Sequence, residues 1–493
     1  MKVHLAGYNI DAELIKQMKI LHKDLSDQFT PETISAAYAR ISRDPRQVNE
    51  LREIASKEVE KARKSNNAII FDLGHSSVAE HAVFNLDIIG ISRLAIEELE
   101  HFRLASYTEK SQRYITLTDD FVIPEEINDV IDIEKFKNII KLQNNFYHEL
   151  FEKLKVYVFQ ENKNLSLDTK NHRLLEGLAK EDARYISSLS TQGQLGMTLN
   201  ARTLELILRR LNSSKLKEVN TLSKAIYDEL KDIAPSVVKY TKATEYDLTK
   251  YDNISKFVNK LSLEVSQSQS QSKIAEDVKL VKFTKDADDL IISAILHTVT
   301  GYTFDEVQTI VKSMDTKTKQ NILVESFKDI KLYDVVLREF EYADFIFELN
   351  ISAACFGQLK RHRMITLTNK NYNLDLGVII PDSIIKIGYK EKFLEIISRT
   401  NEVYNDLFKK YGNIAEYVLT NAHKRTVLVK INARELYHLS RLREDAHAQW
   451  DIRNISSKIV ELAREVAPIT TFLTCGKDTF IETYKNIIRK EEF

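Results

Sequence analysis

One segment of this chain occurs twice, and that duplication constrains the fold more than any other feature. Residues 84–114 and 345–373 align at an offset of 260 around Arg103 and Arg363. In each copy apolar residues first alternate (Phe84, Leu86, Ile88; Phe345, Phe347, Leu349, Ile351), which predicts a half-buried strand. The spacing then turns helical, with Ala95, Leu99, Phe102 in one copy and Cys355, Leu359, His362 in the other. A second motif recurs at an offset of 232, Asn200-Ala201-Arg202 and Asn432-Ala433-Arg434, each opening an amphipathic helix. Sixteen residues before each Asn stand Ala183-Arg184-Tyr185 and Ala415-Glu416-Tyr417. The same motifs in the same order imply two copies of one module, the first carrying about 28 more residues between its motifs.

Length agrees, because 493 residues exceed one ordinary core. Only 12 glycines and 6 prolines favour a helix-rich α+β fold, with a small mixed or antiparallel sheet in each half. Amphipathic helices are predicted over Pro31–Ile41, Val48–Lys64 and Glu134–Leu154. The run Ser266–Ser272 alternates Ser and Gln and is too polar for a core. The expected division is therefore a first domain over 1–250, a linker over 251–275 and a second domain over 276–493. A net charge of -1 gives no field directed at nucleic acid or membrane. No apolar run reaches the roughly 18 residues of a membrane span, and Met1–Ser26 is interspersed with charges, unlike a signal peptide. Two cysteines, Cys355 and Cys475, argue for a reducing compartment, so a cytoplasmic location is expected and no metal site is.

The polar residues after the duplicated helix differ between the copies. The first continues Ser106 to Tyr114 as Ser-Tyr-Thr-Glu-Lys-Ser-Gln-Arg-Tyr, a Glu-x-Ser-x-Arg loop behind His101-Phe102-Arg103. The second keeps Gln358 and Arg361-His362-Arg363 but follows them with Asn369, Asn371 and Asn373. These residues resemble the flavin-dependent thymidylate synthases (ThyX), whose signature is Arg-His-Arg-x-x-Ser-x-Asn-Glu-x-Ser-x-Arg-Tyr, with Gln three residues upstream. That family also carries a His-x-x-x-x-Glu-His segment, present as His75 to His81, and an Asn-Ala-Arg helix leading to Arg-x-x-x-His-Ala-Gln-Trp, present from Asn432 to Trp450. The resemblance covers most of both halves and implies two tandem ThyX-like domains.

Its chemistry would be reductive methylation of dUMP to dTMP, with methylenetetrahydrofolate supplying carbon, FAD the hydride and NADPH the reducing power. Site residues carry over by position. For dUMP these are Glu109, Ser111, Gln112, Arg113, Arg184, Gln358, Arg361 and Arg443, with Arg443 as the catalytic group that polarises the uracil. For FAD they are Ser42, His75, Ser77, Glu80, Arg361, His362, Arg363, Asn432, Arg434, His438 and His447. One straight helix from Arg434 would put Arg443 and His447 opposite Arg434 and His438, so a break is expected near Glu444 and Asp445.

ThyX enzymes are tetramers with sites at subunit interfaces. Here the Glu-x-Ser-x-Arg set survives only in the first half and the Gln-x-x-Arg-His-Arg set only in the second. The expected assembly is a homodimer acting as a pseudo-tetramer, with two composite sites kept and two abandoned. Thr108 stands where the family has Asn, and His101-Phe102 where it has Arg-His. Two alternatives follow: a non-catalytic nucleotide-binding or assembly protein on a decayed ThyX fold, or a flavoprotein acting on another pyrimidine, possibly in RNA. Taken singly the motifs have bland readings as well: Arg-His-Arg as a solvated helix end, Glu-x-Ser-x-Arg as a helix cap, His75 and His81 as core histidines, Arg209 and Arg210 as a solvated face.

Overall fold

The computed structural model describes residues 1–11, 14–15, 17, 30–41, 44–260 and 276–488. The Ser/Gln run and Ser42 lie outside the described residues. Each half builds a four-stranded antiparallel sheet. The first contains β1 (Lys2–Tyr8), β2 (Val83–Ser92), β3 (Ala105–Glu109) and β4 (Gln192–Asn200) in the order β1-β2-β4-β3. The second contains β5 (Val278–Phe283), β6 (Asp344–Ser352), β7 (Thr366–Tyr372) and β8 (Lys424–Asn432) in the order β5-β6-β8-β7. One connectivity repeated twice confirms the duplication. β2 holds one residue more than β6, absorbed where the register slips between Ile89 and Ile91. Gly90 there has φ +74°, a left-handed conformation that glycine adopts without a Cβ clash.

The strand-to-helix junctions are built the same way in both halves. Ser92 and Ser352 end β2 and β6, and their hydroxyls accept from Ala95 N and Cys355 N, both at 3.0 Å. These caps start helices α1 (Arg93–Leu99) and α5 (Ala353–Leu359). Asn200 and Asn432 end β4 and β8 and cap α3 (Ala201–Leu211) and α7 (Ala433–Arg443), accepting from Thr203 N and Glu435 N at 2.9 Å. Asn432→Ala should therefore lower stability by about 1 kcal/mol, measured by urea unfolding.

The alternating apolar residues face the core: Phe84, Leu86, Phe345, Phe347 and Leu349 are all buried. Cys355 is buried among them, as its helical position implied. Helices occupy Glu32–Arg40, and α2 covers Val130–Glu161. The helix expected over Val48–Lys64 is broken at Glu58 into Val48–Lys57 and Val59–Asn67. Another helix, Glu245–Lys260, runs ten residues into the stretch assigned to the linker. Among the described residues no helix is long and apolar enough to cross a membrane.

By contacts the chain forms two compact units, 1–269 with 391–419, and 270–390 with 420–493. The helix Lys390–Tyr411 (α6), from the second half of the sequence, thus packs in the first unit against α2. The Phe146 and Phe393 rings lie 6.4 Å apart, Gln143 Nε2 donates to Thr400 Oγ1 and Val418 O at 2.9 Å, and Lys410 Nζ pairs with Asp132 at 2.7 Å.

Candidate functional site

In the second unit α5 ends at Leu359, so Arg361, His362 and Arg363 occupy the turn beyond it rather than the helix. His362 points inward, only 3% exposed, while Arg361 and Arg363 are exposed. Helix α7 stops at Arg443 with Glu444 as its C-cap, where the break was expected. Arg443 Nε donates to His362 Nε2 at 3.0 Å, and Arg443 Nη2 donates to Gln358 O at 3.1 Å. On the other ring edge, His362 Nδ1 lies 3.1 Å from Glu435 Oε1. The His438 ring sits 5.6 Å from that of His362, and one ligand-type atom each from His362, Glu435 and His438 lie within 4.8 Å of one another. Gln358 Nε2 donates to Gln449 Oε1 at 3.2 Å, and the buried Gln449 caps α8 (Trp450–Val466).

Burial, reinforced by the Arg443 charge, holds the His362 pKa down at about 3. His423, also in this unit and buried, is held at about 4 by burial. Both lie below the 6.5 of a free histidine, so the unfolded chain takes up protons first as pH falls. Their contribution to stability is complete above about pH 6.5 and is lost toward pH 4 and 3. The urea midpoint should fall as pH drops below 6.5, and His423→Asn should make that fall shallower.

Several residues placed in the flavin set are engaged elsewhere. Arg434 Nη1 pairs with Glu341 at 2.7 Å and its Nε donates to Val336 O at 3.0 Å. The equivalent first-half pair is Arg202 with Glu80 at 2.5 Å, so Glu80 and Arg434 each belong to a clamp present in both halves. Asn432 is a helix cap. His447 is 84% exposed and bonds through Nδ1 to Asp445 at 2.9 Å. His75 and Ser77 are exposed around the 3-10 turn Ser76–His81.

In the first unit the segment read as a loop is partly strand: Glu109 closes edge strand β3, and Ser111 to Arg113 follow it. Glu109 Oε1 accepts from Arg93 Nη1 at 2.6 Å, with both side chains buried. Burial works against the Arg93 charge, but Glu109, Glu97 and Glu100 outweigh it and raise its pKa. Arg113 pairs with Glu181, and its backbone N–H donates to Ser111 Oγ at 3.1 Å. Gln112 lines a pocket with Arg93, Glu109 and Lys110. Arg184 is 7% exposed, and its pKa is lowered by burial and by the Arg113 and Arg93 charges, against the pull of Glu181. Arg93 and Arg113 are paired with Glu109 and Glu181, Arg184 is near enough to feel both of their charges, and guanidiniums grouped in this way are suited to an anion with several oxygens.

Arg93, Glu181 and Glu435 were missed in the sequence. Arg93 sits in the apolar run Ile91 to Ile96, and a charge there was the available signal. Arg209 and Arg210 are also more than a solvated face, since both pair with the buried Asp247, at 3.1 and 3.0 Å.

The family model described as thymidylate synthase complementing protein, Thy1, matches residues 24–236 and 279–469. A UPF0159 protein of Thermoplasma acidophilum is 24% identical over 490 residues, covering 88% of this chain and 92% of that protein. A flavin-dependent thymidylate synthase of Clostridium tetani is 30% identical over 233 residues, covering 46% of this chain and 88% of that one. Among solved structures, Helicobacter pylori ThyX complexed with FAD and dUMP is 22% identical, with 49% of this chain and 100% of that chain aligned at a TM-score of 0.29. The two matched segments take in most of the sequence, one in each half. The chain belongs to the thymidylate synthase complementing protein family, whose domain it carries twice in tandem.

Proposed function

We propose that the chain methylates dUMP to dTMP with FAD, methylenetetrahydrofolate and NADPH, at composite sites that join the first-half residues of one chain to the second-half residues of a partner chain in a homodimer. The observation that carries this reading is that each half keeps the set the other has lost. Glu109, Ser111, Arg113 and Arg184 face Asn369, Asn371, Asn373 and Glu416 in the alignment, and Gln358, Arg361, His362 and Arg443 face Glu98, His101, Phe102 and Leu211. Neutral decay of a non-catalytic scaffold would not spare one complete set. Family membership and the flavin-dependent synthase of C. tetani support the same chemistry.

In this reading Arg113 and Arg184 hold the nucleotide phosphate, with Ser111 beside them. Arg443, held through Nε and Nη2, presents its charge to a uracil oxygen as electron density builds there, which is electrostatic preorganisation. Arg361 and Arg363, exposed on either side of the buried His362, suit a dinucleotide pyrophosphate. When bound, reduced flavin supplies the hydride. The buried Cys355 has its thiol pKa raised far above the usual range by burial, so it is poorly suited to act as a nucleophile.

The test is tritium release from 5-tritiated dUMP with FAD, NADPH and methylenetetrahydrofolate. Release should accompany dTMP formation, and Arg443→Ala should slow it at least about 100-fold. No release from a protein that has bound FAD would overturn dUMP as substrate and direct the assay to other pyrimidines.

A further inference from the structure

We infer that Glu435 and His362 form a positioning relay for Arg443, in which His362 is a neutral hydrogen-bond acceptor that fixes the guanidinium's orientation. The inference rests on the assignment of Arg443 above and names the residues that aim it. An arginine Nε carries a hydrogen and offers no lone pair, so the His362 Nε2 at 3.0 Å must be the acceptor. Neutral imidazole has one N–H, which must then sit on Nδ1 and point to Glu435 Oε1 at 3.1 Å. Glu435 thereby selects the tautomer and His362 transmits that choice to Arg443.

The remaining contacts fix the relay in space. Glu435 stands in the first turn of α7, where its own N–H is held by Asn432. Arg443 closes the same helix, and its Nη2 is held by Gln358 O, whose side chain bonds to Gln449 at the start of α8. A guanidinium held through both Nε and Nη2 is restrained from turning about its long side chain, so less freedom is lost when substrate binds. With a pKa near 3, His362 does not protonate in the neutral range and so does not expel the arginine.

The duplication supplies an internal control. At the first-half positions of Glu435, His362 and Arg443 stand Thr203, Phe102 and Leu211. The helix cap beside them, Asn200 for Asn432, and the core position Leu204 for Leu436 are retained. All three relay members are therefore absent together from the half that lacks the arginine, as expected of parts that serve one another.

Turnover, bound FAD and the histidine ¹⁵N spectrum should be measured on the full chain and on His362→Ala, Glu435→Gln, Glu435→Ala, Arg443→Ala and the His362→Ala/Arg443→Ala double variant. His362→Ala should lower kcat by about 10- to 100-fold with less than about a threefold change in the dUMP KM and with FAD retained. The double variant should be no slower than Arg443→Ala, because removing the arginine leaves the relay nothing to aim. Glu435→Gln keeps an acceptor for Nδ1–H and should stay within about threefold of the parent, whereas Glu435→Ala should resemble His362→Ala. Multiplicative losses, or loss of FAD from His362→Ala, would overturn the relay. Should the parent not turn over dUMP, the proposed function fails and the spectrum decides the relay alone. One signal, absent from a folded His362→Asn variant, must show Nδ1–H with an unprotonated Nε2 at pH 7; the opposite tautomer overturns the inference.

Discussion

Chains carrying Arg113→Ala or Arg361→Ala should each be inactive alone and, when coexpressed, should recover about a quarter of parental turnover, because random pairing makes half the dimers mixed and each mixed dimer holds one intact site of two. In such a dimer the Arg113→Ala chain contributes its untouched second half, and the Arg361→Ala chain its untouched first half. The other site in the same dimer carries both lesions. Arg113 is paired with the buried Glu181, so its removal strands a carboxylate and costs stability as well. Melting curves of each variant must therefore show folded protein before activities are compared. Full activity in either variant alone would refute the composite site. Two inactive variants that fail to complement, in dimers shown to be mixed, would refute the pairing of halves from different chains.

Much of the fold was legible in the sequence because the duplication supplied its own alignment. Phe84 to Ile88 and Phe345 to Ile351 announced β2 and β6, and the Asn-Ala-Arg motifs marked both the strand ends and the helix caps. The break after Arg443 was expected so that Arg434 and His438 could line one site with Arg443 and His447; the helix does end there, but Arg434 is clamped to Glu341 and His447 is exposed. Less legible were single-residue slips. A constant offset of 232 sets Asp451 against Val219, yet the structure pairs Asp451 in role with Glu218, at an offset of 233. The second half has one more residue between α7 and α8 than the first has between α3 and the helix Lys217–Leu230 (α4). Loop length carries no periodicity, so pattern reading cannot register that residue.

The site was less legible than the fold, for a related reason. Residue type proposes a role but does not say whether the group is already engaged. Arg434 and Arg443 look alike in sequence, but one is clamped to Glu341 and the other is aimed by His362. Glu435 looks like an ordinary solvated helix residue until β8 and α7 bring it against His362. The grouping of 391–419 with the first unit was equally hidden, since α6 shows only an amphipathic face and nothing in it names α2 as its partner.

Glu218 is the first-half counterpart of Asp451 and carries a structural junction. Glu218 lies in the first turn of α4 and accepts three buried hydrogen bonds, from Ser92 N at 2.7 Å, Ser92 Oγ at 2.6 Å and Tyr417 Oη at 2.7 Å. Burial and the adjacent Glu218 carboxylate push the Tyr417 phenol pKa upward, so it remains a proton donor throughout the working range. One carboxylate thus ties together the end of β2, the start of α4 and the segment after α6, from positions 92, 218 and 417. Glu218→Ala would leave those donors buried without their acceptor, and about 3–5 kcal/mol of stability should be lost. Glu218→Gln keeps one acceptor oxygen but turns an amide N–H₂ toward a donor, so it should fall between the two. The loss should be local first: amide hydrogen exchange over 412–419 should accelerate before α2 or β4 responds, because Tyr417 is the member contributed by the distant segment. A Glu218→Ala protein within about 1 kcal/mol of the parent, with unchanged exchange over 412–419, would show that packing of α6 on α2 holds that segment without the carboxylate.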